Sequence, residues 1–167
     1  VLDGSVQRSG ERLRVTARLL SVDDGRQLWS GRFDEQYTDI FAVQDSIADR
    51  VTAALAVQLT SVEQQRLARR PTSDSVAYDL FLNGRYHWNR RSSPVDLQKS
   101  IDYYRQAVAR DPRFALAYSG LADALAVQVV FASREPREGY PAALQAAERA
   151  LQLDPDLAEA HATRGHI

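Results

Sequence analysis

The chain has 167 residues, of which 44% are hydrophobic and 26% are charged, a composition typical of a folded globular protein. A formal net charge of −1 excludes a global electrostatic attraction to nucleic acid, and the absence of cysteine excludes disulfides and thiolate metal sites. No apolar run approaches the roughly 20 residues of a membrane helix, so we predict neither membrane insertion nor contact with nucleic acid.

The two ends of the chain suggest a piece of a longer protein. The chain begins at Val1, contains no methionine and stops at Ile167 within an apparent helix. We therefore expect an internal fragment. The sequence does not determine a compartment: it favours the cytoplasm and leaves the periplasm open.

The first 36 residues alternate with the period of a β-strand. Within residues 13–19 the apolar side chains occupy the odd positions, and arginine and threonine occupy the even ones. A period of two places these sets on opposite faces of a sheet. Turn residues flank the run at Ser9-Gly10 and Asp23-Asp24-Gly25. The pattern predicts a three-stranded antiparallel meander over residues 2–8, 11–22 and 26–33.

A helix is predicted after these strands. Thr38 or Asp39 can accept hydrogen bonds from the free N–H groups of its first turn. Apolar residues then recur at helical spacing and should pack on one face of the sheet: Ile40, Val43, Ile47, Val51, Leu55 and Leu59. Three strands and one helix make a thin core, as expected for residues 1–60 of an α/β module whose amino-terminal half is missing.

The remainder of the chain is predicted to be all-α. Residues 61–75 are polar, with Arg69-Arg70-Pro71 near their middle, and we predict a linker there. Ser93, Pro94 and Asp96 mark a helix start. Helices are predicted at residues 76–89, 95–110 and 115–131 and between residues 136 and 153, and a further helix begins near Leu157.

A segment with an Asp-Pro stop occurs twice in this part of the chain. Asp111-Pro112 and Asp154-Pro155 are 43 residues apart, and each ends an amphipathic helix and precedes an alanine-rich one. A recurring helix–turn–helix unit predicts a helical solenoid, an architecture that commonly binds other proteins.

These helix pairs resemble the tetratricopeptide repeat, a 34-residue unit whose second helix is closed by proline. With Pro112 and Pro155 at the closing position, Tyr104 and Ala147 occupy the usual aromatic position, and Ala107 and Ala150 occupy the small position. The resemblance implies about two and a half repeats over residues 76–167, the last one truncated. The longer spacing implies about nine extra residues per repeat, which we place at the long helix and a loop over residues 133–141.

Residues 1–60 resemble a bacterial α/β module that precedes tetratricopeptide repeats in some adenylate or guanylate cyclases, serine/threonine kinases and winged-helix regulators. The resemblance is carried by residues 1–19, by Gly25-Arg-Gln-Leu-Trp29 and by Asp39-Ile-Phe-Ala-Val-Gln-Asp45. The fold of that module is thought to be similar to the amino-terminal domain of the Tol-system translocation protein. The resemblance implies a regulatory setting without selecting an output domain.

Catalytic and metal-binding patterns are weak in this sequence. The phosphate-binding loop Gly-x-x-x-x-Gly-Lys is absent, because Lys99 is the only lysine and has no nearby glycine. His161 and His166 are five residues apart, which separates their directions on a helix by about 500°. We predict no catalytic residue, no metal site and no cofactor, and therefore no enzyme activity for this chain.

One local charge asymmetry provides a candidate binding site. A basic and aromatic cluster lies at the end of the first repeat helix: Arg85, His87, Trp88, Asn89, Arg90 and Arg91. In tetratricopeptide repeats the first helices line the groove, so this cluster could hold an acidic peptide through charge-assisted hydrogen bonds. The alternative is a solvated helix end at which arginine is favoured by the helix dipole.

The carboxylate clamp of chaperone-type tetratricopeptide repeats uses lysine, asparagine and arginine in the groove. The corresponding positions of the second repeat are Leu116, Ser119, Asp123 and Val127, which argues against a clamp. The sequence therefore predicts a non-catalytic protein–protein interaction module of a bacterial signalling protein. Two alternatives stay open, namely the regulatory region of a cyclase or kinase and an envelope assembly scaffold, and a homodimer is left open as well.

Overall fold

The computed structural model describes residues 1–10, 12–36, 40–54, 70–131 and 135–167. These residues form two compact units, Val1–Arg70 and Pro71–Ile167, which we call the sheet unit and the helical unit. The predicted linker covers residues 61–75, and residues 61–69 of it lie outside the described residues. The predicted order of an α+β part followed by an all-α part is confirmed.

The sheet unit contains the predicted antiparallel meander. Its strands are β1 (Leu2–Ser9), β2 (Arg12–Leu20) and β3 (Gln27–Gln36), in the order β1-β2-β3. The turns carry glycines with positive φ, 61° at Gly10 and 68° at Gly25, as tight turns favour. The predicted ends were less accurate, because β2 stops at Leu20 and β3 continues to Gln36.

Helix α1 (Ile40–Ala54) packs against part of one face of this sheet. Leu13, Val15 and Ala17 of β2 are buried with Phe33 of β3, and Val43 of α1 belongs to the same cluster. Ile47 packs against it, so the predicted stripe is confirmed for these two helix residues. Four residues of the prediction lie outside the described residues: Thr38, Asp39, Leu55 and Leu59.

The opposite face of the sheet carries cross-strand ion pairs. Arg18 lies directly opposite Asp3, and their side chains approach to 2.6 Å. Arg14 lies opposite Asp34, with a nitrogen–oxygen distance of 2.5 Å. Hydrogen bonds from the two arginines hold the pKa of both aspartates below the usual value. Because these side chains are about half exposed, each pair adds little to stability.

The described part of the helical unit contains five helices that pack in sequence order. They are α2 (Ser75–Trp88), α3 (Pro94–Arg110), α4 (Ala115–Val130), α5 (Pro136–Leu153) and α6 (Ala158–His166). Helix α2 packs on α3 and α4 on α5, while α4 also contacts α2 and α6. The predicted helices are confirmed to within about two residues. The predicted loop over residues 133–141 was wrong from Pro136 onward, because proline suits the first turn of α5.

Local chemistry explains where these helices start and stop. Asp74 caps α2 by accepting hydrogen bonds from the N–H groups of Val76 and Ala77, at 2.9 and 3.0 Å. Ser93 caps α3, as predicted, with Pro94 in its first turn. Asp111 and Asp154 end α3 and α5 in extended geometry, because the following proline disfavours helical backbone before it.

Tyr104 occupies the centre of the helical unit. It is 1% exposed, and burial raises its pKa to about 12. A Cβ atom added at Gly84 of α2 would come within 2.6 Å of its ring, and one added at Gly120 of α4 within 2.7 Å. Glycine is therefore required at both positions for α2 and α4 to approach the ring of α3 this closely.

Candidate functional site

One residue of the basic cluster predicted from the sequence, His87, belongs to the packing of the first helix pair. Its Nδ1 atom lies 2.7 Å from a carboxylate oxygen of Asp96 in α3. Its ring stacks on Tyr103 with a centroid distance of 5.5 Å and an interplanar angle of 9°. The hydrogen bond with His87 holds the pKa of Asp96 below its usual value. His87 therefore joins α2 to α3.

The residues that follow α2 are exposed and are held by aromatic rings. The Arg90 guanidinium lies 4.9 Å from the ring centre of Tyr86 and donates a hydrogen bond to its hydroxyl. The Arg91 guanidinium lies 4.4 Å from the ring centre of Trp88. Asn89 ends the helix, and its backbone N–H donates to the carbonyl of Arg85 at 3.0 Å. These contacts orient the two arginines, and neither forms an ion pair with a described carboxylate.

Arg85 and Trp88 line a cavity of about 60 Å³ that is formed by α2, α3, α4 and α6. We call it the groove pocket. Its other lining residues come from all four of the helices that surround it: Phe81, Tyr104, Leu116, Ser119, Gly120, Asp123 and Glu159. Two of the six predicted site residues, Arg85 and Trp88, thus lie at this pocket beside residues that were not predicted as site residues.

Several polar groups of the groove pocket have no partner among the described residues. Ser119 is 1% exposed, and its hydroxyl makes no hydrogen bond. The side chains of Arg85 and Glu159 are exposed and form no ion pair with any described residue. Asp123 is the exception, because its Oδ1 accepts a hydrogen bond from the hydroxyl of Thr163. Arg85 and Glu159 therefore leave two charged side chains at this pocket that pair with no other described residue.

The electrostatics of the pocket are dominated by Asp123. Burial raises the pKa of this carboxyl, and the nearby negative charge of Glu159 raises it further. The hydrogen bond from Thr163 and the positive charges of His166 and Arg91 act in the opposite direction and do not compensate fully. The carboxylate form of Asp123 is therefore less stable in this pocket than in water.

The sequence places several of these residues in a groove without predicting them as site residues. Leu116, Ser119 and Asp123 stand at groove positions of the tetratricopeptide resemblance, where their residue types argue against the carboxylate clamp. The structure places all three in the groove pocket. Glu159 was not predicted as a site residue, because its position at this pocket depends on contacts between residues far apart in the chain.

Within the part of the chain that the structure describes, no group of three or more histidine and carboxylate side chains could hold a metal ion. None of the described helices combines the length and apolar character needed to cross a membrane.

Comparison with known proteins gives one informative similarity. No protein-family profile matches the chain. The chain is 35% identical over 124 residues to a protein of Rhizobium meliloti (strain 1021) named "Putative adenylate cyclase 3". The alignment covers 72% of this chain and 20% of that protein, so the chain spans about a fifth of the length of the curated relative it matches. The similarity is consistent with a regulatory region of a larger protein.

Proposed function

We propose that this chain is a non-catalytic regulatory region of a larger signalling protein, and that its helical unit binds a segment of a partner protein. The observation that carries the proposal is the groove pocket, where α2 and α6 present Arg85 and Glu159, which pair with no other described residue. The similarity to a fifth of a protein named as an adenylate cyclase supports the regulatory setting.

The resemblance to tetratricopeptide repeats supports the same proposal. In such repeats the first helix of each pair lines the binding groove, and here the first helices are α2, α4 and α6. We assign residues 1–60 to the α/β module, 61–75 to a linker and 76–167 to about two and a half repeats. The α/β module would couple binding to an output domain elsewhere in the larger protein.

The exposed arginines give the proposed groove a basic rim. Arg91 lies over the ring of Trp88, which lines the groove pocket, and Arg90 precedes it in the chain. Neither arginine pairs with a carboxylate of the described residues. Acidic residues of a partner segment would gain charge-assisted hydrogen bonds there. Changing both residues to glutamate should abolish binding of such a segment, with little change in melting temperature because both side chains are exposed.

We prefer an adenylate cyclase setting to the other settings that the sequence leaves open. Similarity to a named cyclase favours a region that regulates a nucleotide cyclase, whereas no comparable observation favours a kinase, a winged-helix regulator or an envelope scaffold. That the larger protein is a cyclase is itself part of this proposal, and so are its substrate and its partners.

A peptide-display selection tests the proposal directly. A random peptide library is selected on the 167-residue chain, and enriched peptides are measured against two variants by fluorescence polarisation. Glu159→Trp places a bulky ring at the mouth of the groove pocket, and Glu148→Trp places the same ring at an exposed position of α5. Peptides that bind in the groove lose affinity for the first variant only. Equal binding to both variants, or a selection that enriches no binding peptide, contradicts the proposal.

A further inference from the structure

Helix α6 contacts α4 through a hydroxyl that lies between two acceptors. Thr163 of α6 is 4% exposed, and its hydroxyl is hydrogen bonded to Oδ1 of Asp123 in α4. The same hydroxyl lies 2.9 Å from the backbone carbonyl oxygen of Glu159, one turn earlier in α6. A threonine hydroxyl has one hydrogen, so it can donate a full hydrogen bond to only one of these oxygens at a time.

A proton on Asp123 removes this competition. The protonated carboxyl can donate a hydrogen bond to the Thr163 oxygen, and the hydrogen of Thr163 is then available to the Glu159 carbonyl. In the ionised form the carboxylate only accepts, so Thr163 must turn its hydrogen toward Asp123 and away from that carbonyl. The protonated form therefore makes two hydrogen bonds at this contact, and the ionised form makes one.

The surroundings of Asp123 also favour the proton. The charged and titratable groups that act on Asp123 or line the cavity beside it are Glu159 and His166 of α6, Arg91 after α2, Arg85 of α2 and Tyr104 of α3. None of the described residues that line this cavity belongs to α5. Burial and the negative charge of Glu159 raise the pKa of Asp123 by more than the nearby cations lower it.

We propose that the contact between α4 and α6 is a proton-dependent junction, in which protonated Asp123 holds Thr163 and loss of the proton loosens α6. This inference does not rest on the proposed partner segment, because it concerns a contact within the chain. Docking of α6 should be strongest when Asp123 is protonated and should weaken as pH rises through the value at which Asp123 titrates. Glu159 lines the groove pocket from α6, so a looser α6 would change the wall of that pocket.

Amide hydrogen exchange on the isotopically labelled chain tests the junction. The ionisation of Asp123 is followed on its ¹³Cγ NMR signal, and protection factors, which correct for the intrinsic pH dependence of exchange, are measured for Thr163 and Arg164 of α6. We expect protection to fall by about fivefold, the effect of about one hydrogen bond, with the same midpoint as the Asp123 signal. The amides of Ile101 and Tyr104 in α3 should keep their protection.

Two results of this titration overturn the proposal. Protection of α6 that stays constant while Asp123 titrates would show that the proton does not control the contact. An equal loss of protection in α3 and α6 would assign the effect to the whole helical unit and not to the junction.

Substitution of the carboxyl tests its role separately. Asp123→Asn cannot ionise, and its amide can still donate to the Thr163 oxygen. Protection of α6 in this variant should equal that of the wild type with Asp123 protonated and should not change with pH. Asp102→Asn, the same change at an exposed position of α3, should keep the wild-type pH dependence. A pH dependence that survives in Asp123→Asn contradicts the proposal.

Two further variants separate the hydroxyl from the histidine of α6. Thr163→Val keeps the size of the side chain and removes the hydroxyl, so protection of α6 should be low at every pH and should no longer follow Asp123. His166→Gln removes the histidine that acts on Asp123 and should keep the pH dependence. A pH dependence that persists in Thr163→Val, or disappears in His166→Gln, would overturn the proposal.

Discussion

The two units bury their apolar residues in different ways. In the sheet unit, every second residue of β2 is buried from Leu13 to Ala17. In the helical unit, alanines and glycines pack against aromatic rings. On β1, Leu2 and Val6 point to the same face as this buried row and are still 56% and 67% exposed. The helical unit instead surrounds Tyr104 and Phe114 completely. Regular alternation of apolar and polar residues gives the sheet unit one buried face. Close packing of small residues against large aromatic rings instead gives the helical unit a fully buried centre, around which a groove can form.

The largest expected effect is the loss of the aromatic centre of the helical unit. Tyr104→Ala should lower the free energy of unfolding by about 3–5 kcal/mol, because it removes a fully buried ring and leaves a cavity between Gly84 and Gly120. Urea unfolding followed by far-UV circular dichroism measures the loss. Tyr103→Ala is the matched control at a half-buried position of the same helix, and equal losses for the two variants would contradict this account of the core.

A second substitution tests the sheet unit in the same way. Phe33→Ala removes a ring that is 1% exposed and that packs with the buried residues of β2 and α1. We expect a loss of about 3 kcal/mol, visible as faster amide hydrogen exchange in β2 and β3. Replacement of exposed Leu28 on the same strand by alanine should leave exchange nearly unchanged. Similar exchange in both variants would show that the sheet does not depend on this cluster.

A smaller effect is expected at the cap of α2, and it should depend on pH. Hydrogen bonds from the Ala77 backbone and from Arg110 hold the pKa of Asp74 below its reference value of 3.8. A depressed pKa means that the carboxylate contributes stability above the reference value and that this contribution disappears as pH falls through the folded-state value. Asp74→Ala should therefore lower the melting temperature at neutral pH and match the wild type in strong acid.

Asp74→Asn separates the two roles of that side chain. Asparagine keeps an oxygen that can cap the helix but loses the charge, so it should retain much of the stability at neutral pH. A stability difference between Asp74→Ala and the wild type that stays constant at every pH would contradict the carboxylate's role.

The smallest effect, with the opposite sign, is expected in the groove pocket. The raised pKa of Asp123 means that the folded state binds its proton more tightly than the unfolded state does, so the protein loses stability as pH rises through the folded-state value. Asp123→Asn removes the charge and keeps an oxygen for Thr163. Its melting temperature at neutral pH should equal or slightly exceed that of the wild type. A clear loss of stability would indicate a structural role instead.

The sequence predicted elements well where a local rule governs them. Period-two alternation located β2, and Ser93 with Pro94 located the start of α3. The groove pocket depends on contacts between residues far apart in the chain, such as Thr163 with Asp123, and no local pattern encodes them. His87 illustrates the same limit, because its charge and position suggested a binding surface and its actual partner is Asp96 of the next helix.

The most direct test of the account is to locate a bound peptide on the chain. The amide NMR spectrum of the labelled protein is recorded with a peptide from the display selection, and shift changes are mapped onto both units. We predict changes concentrated at Arg85, Trp88, Gly120 and Asp123 of the helical unit, with the strands of the sheet unit unaffected. Changes confined to β1, β2 and β3 would contradict the central claim that the groove of the helical unit is the binding site.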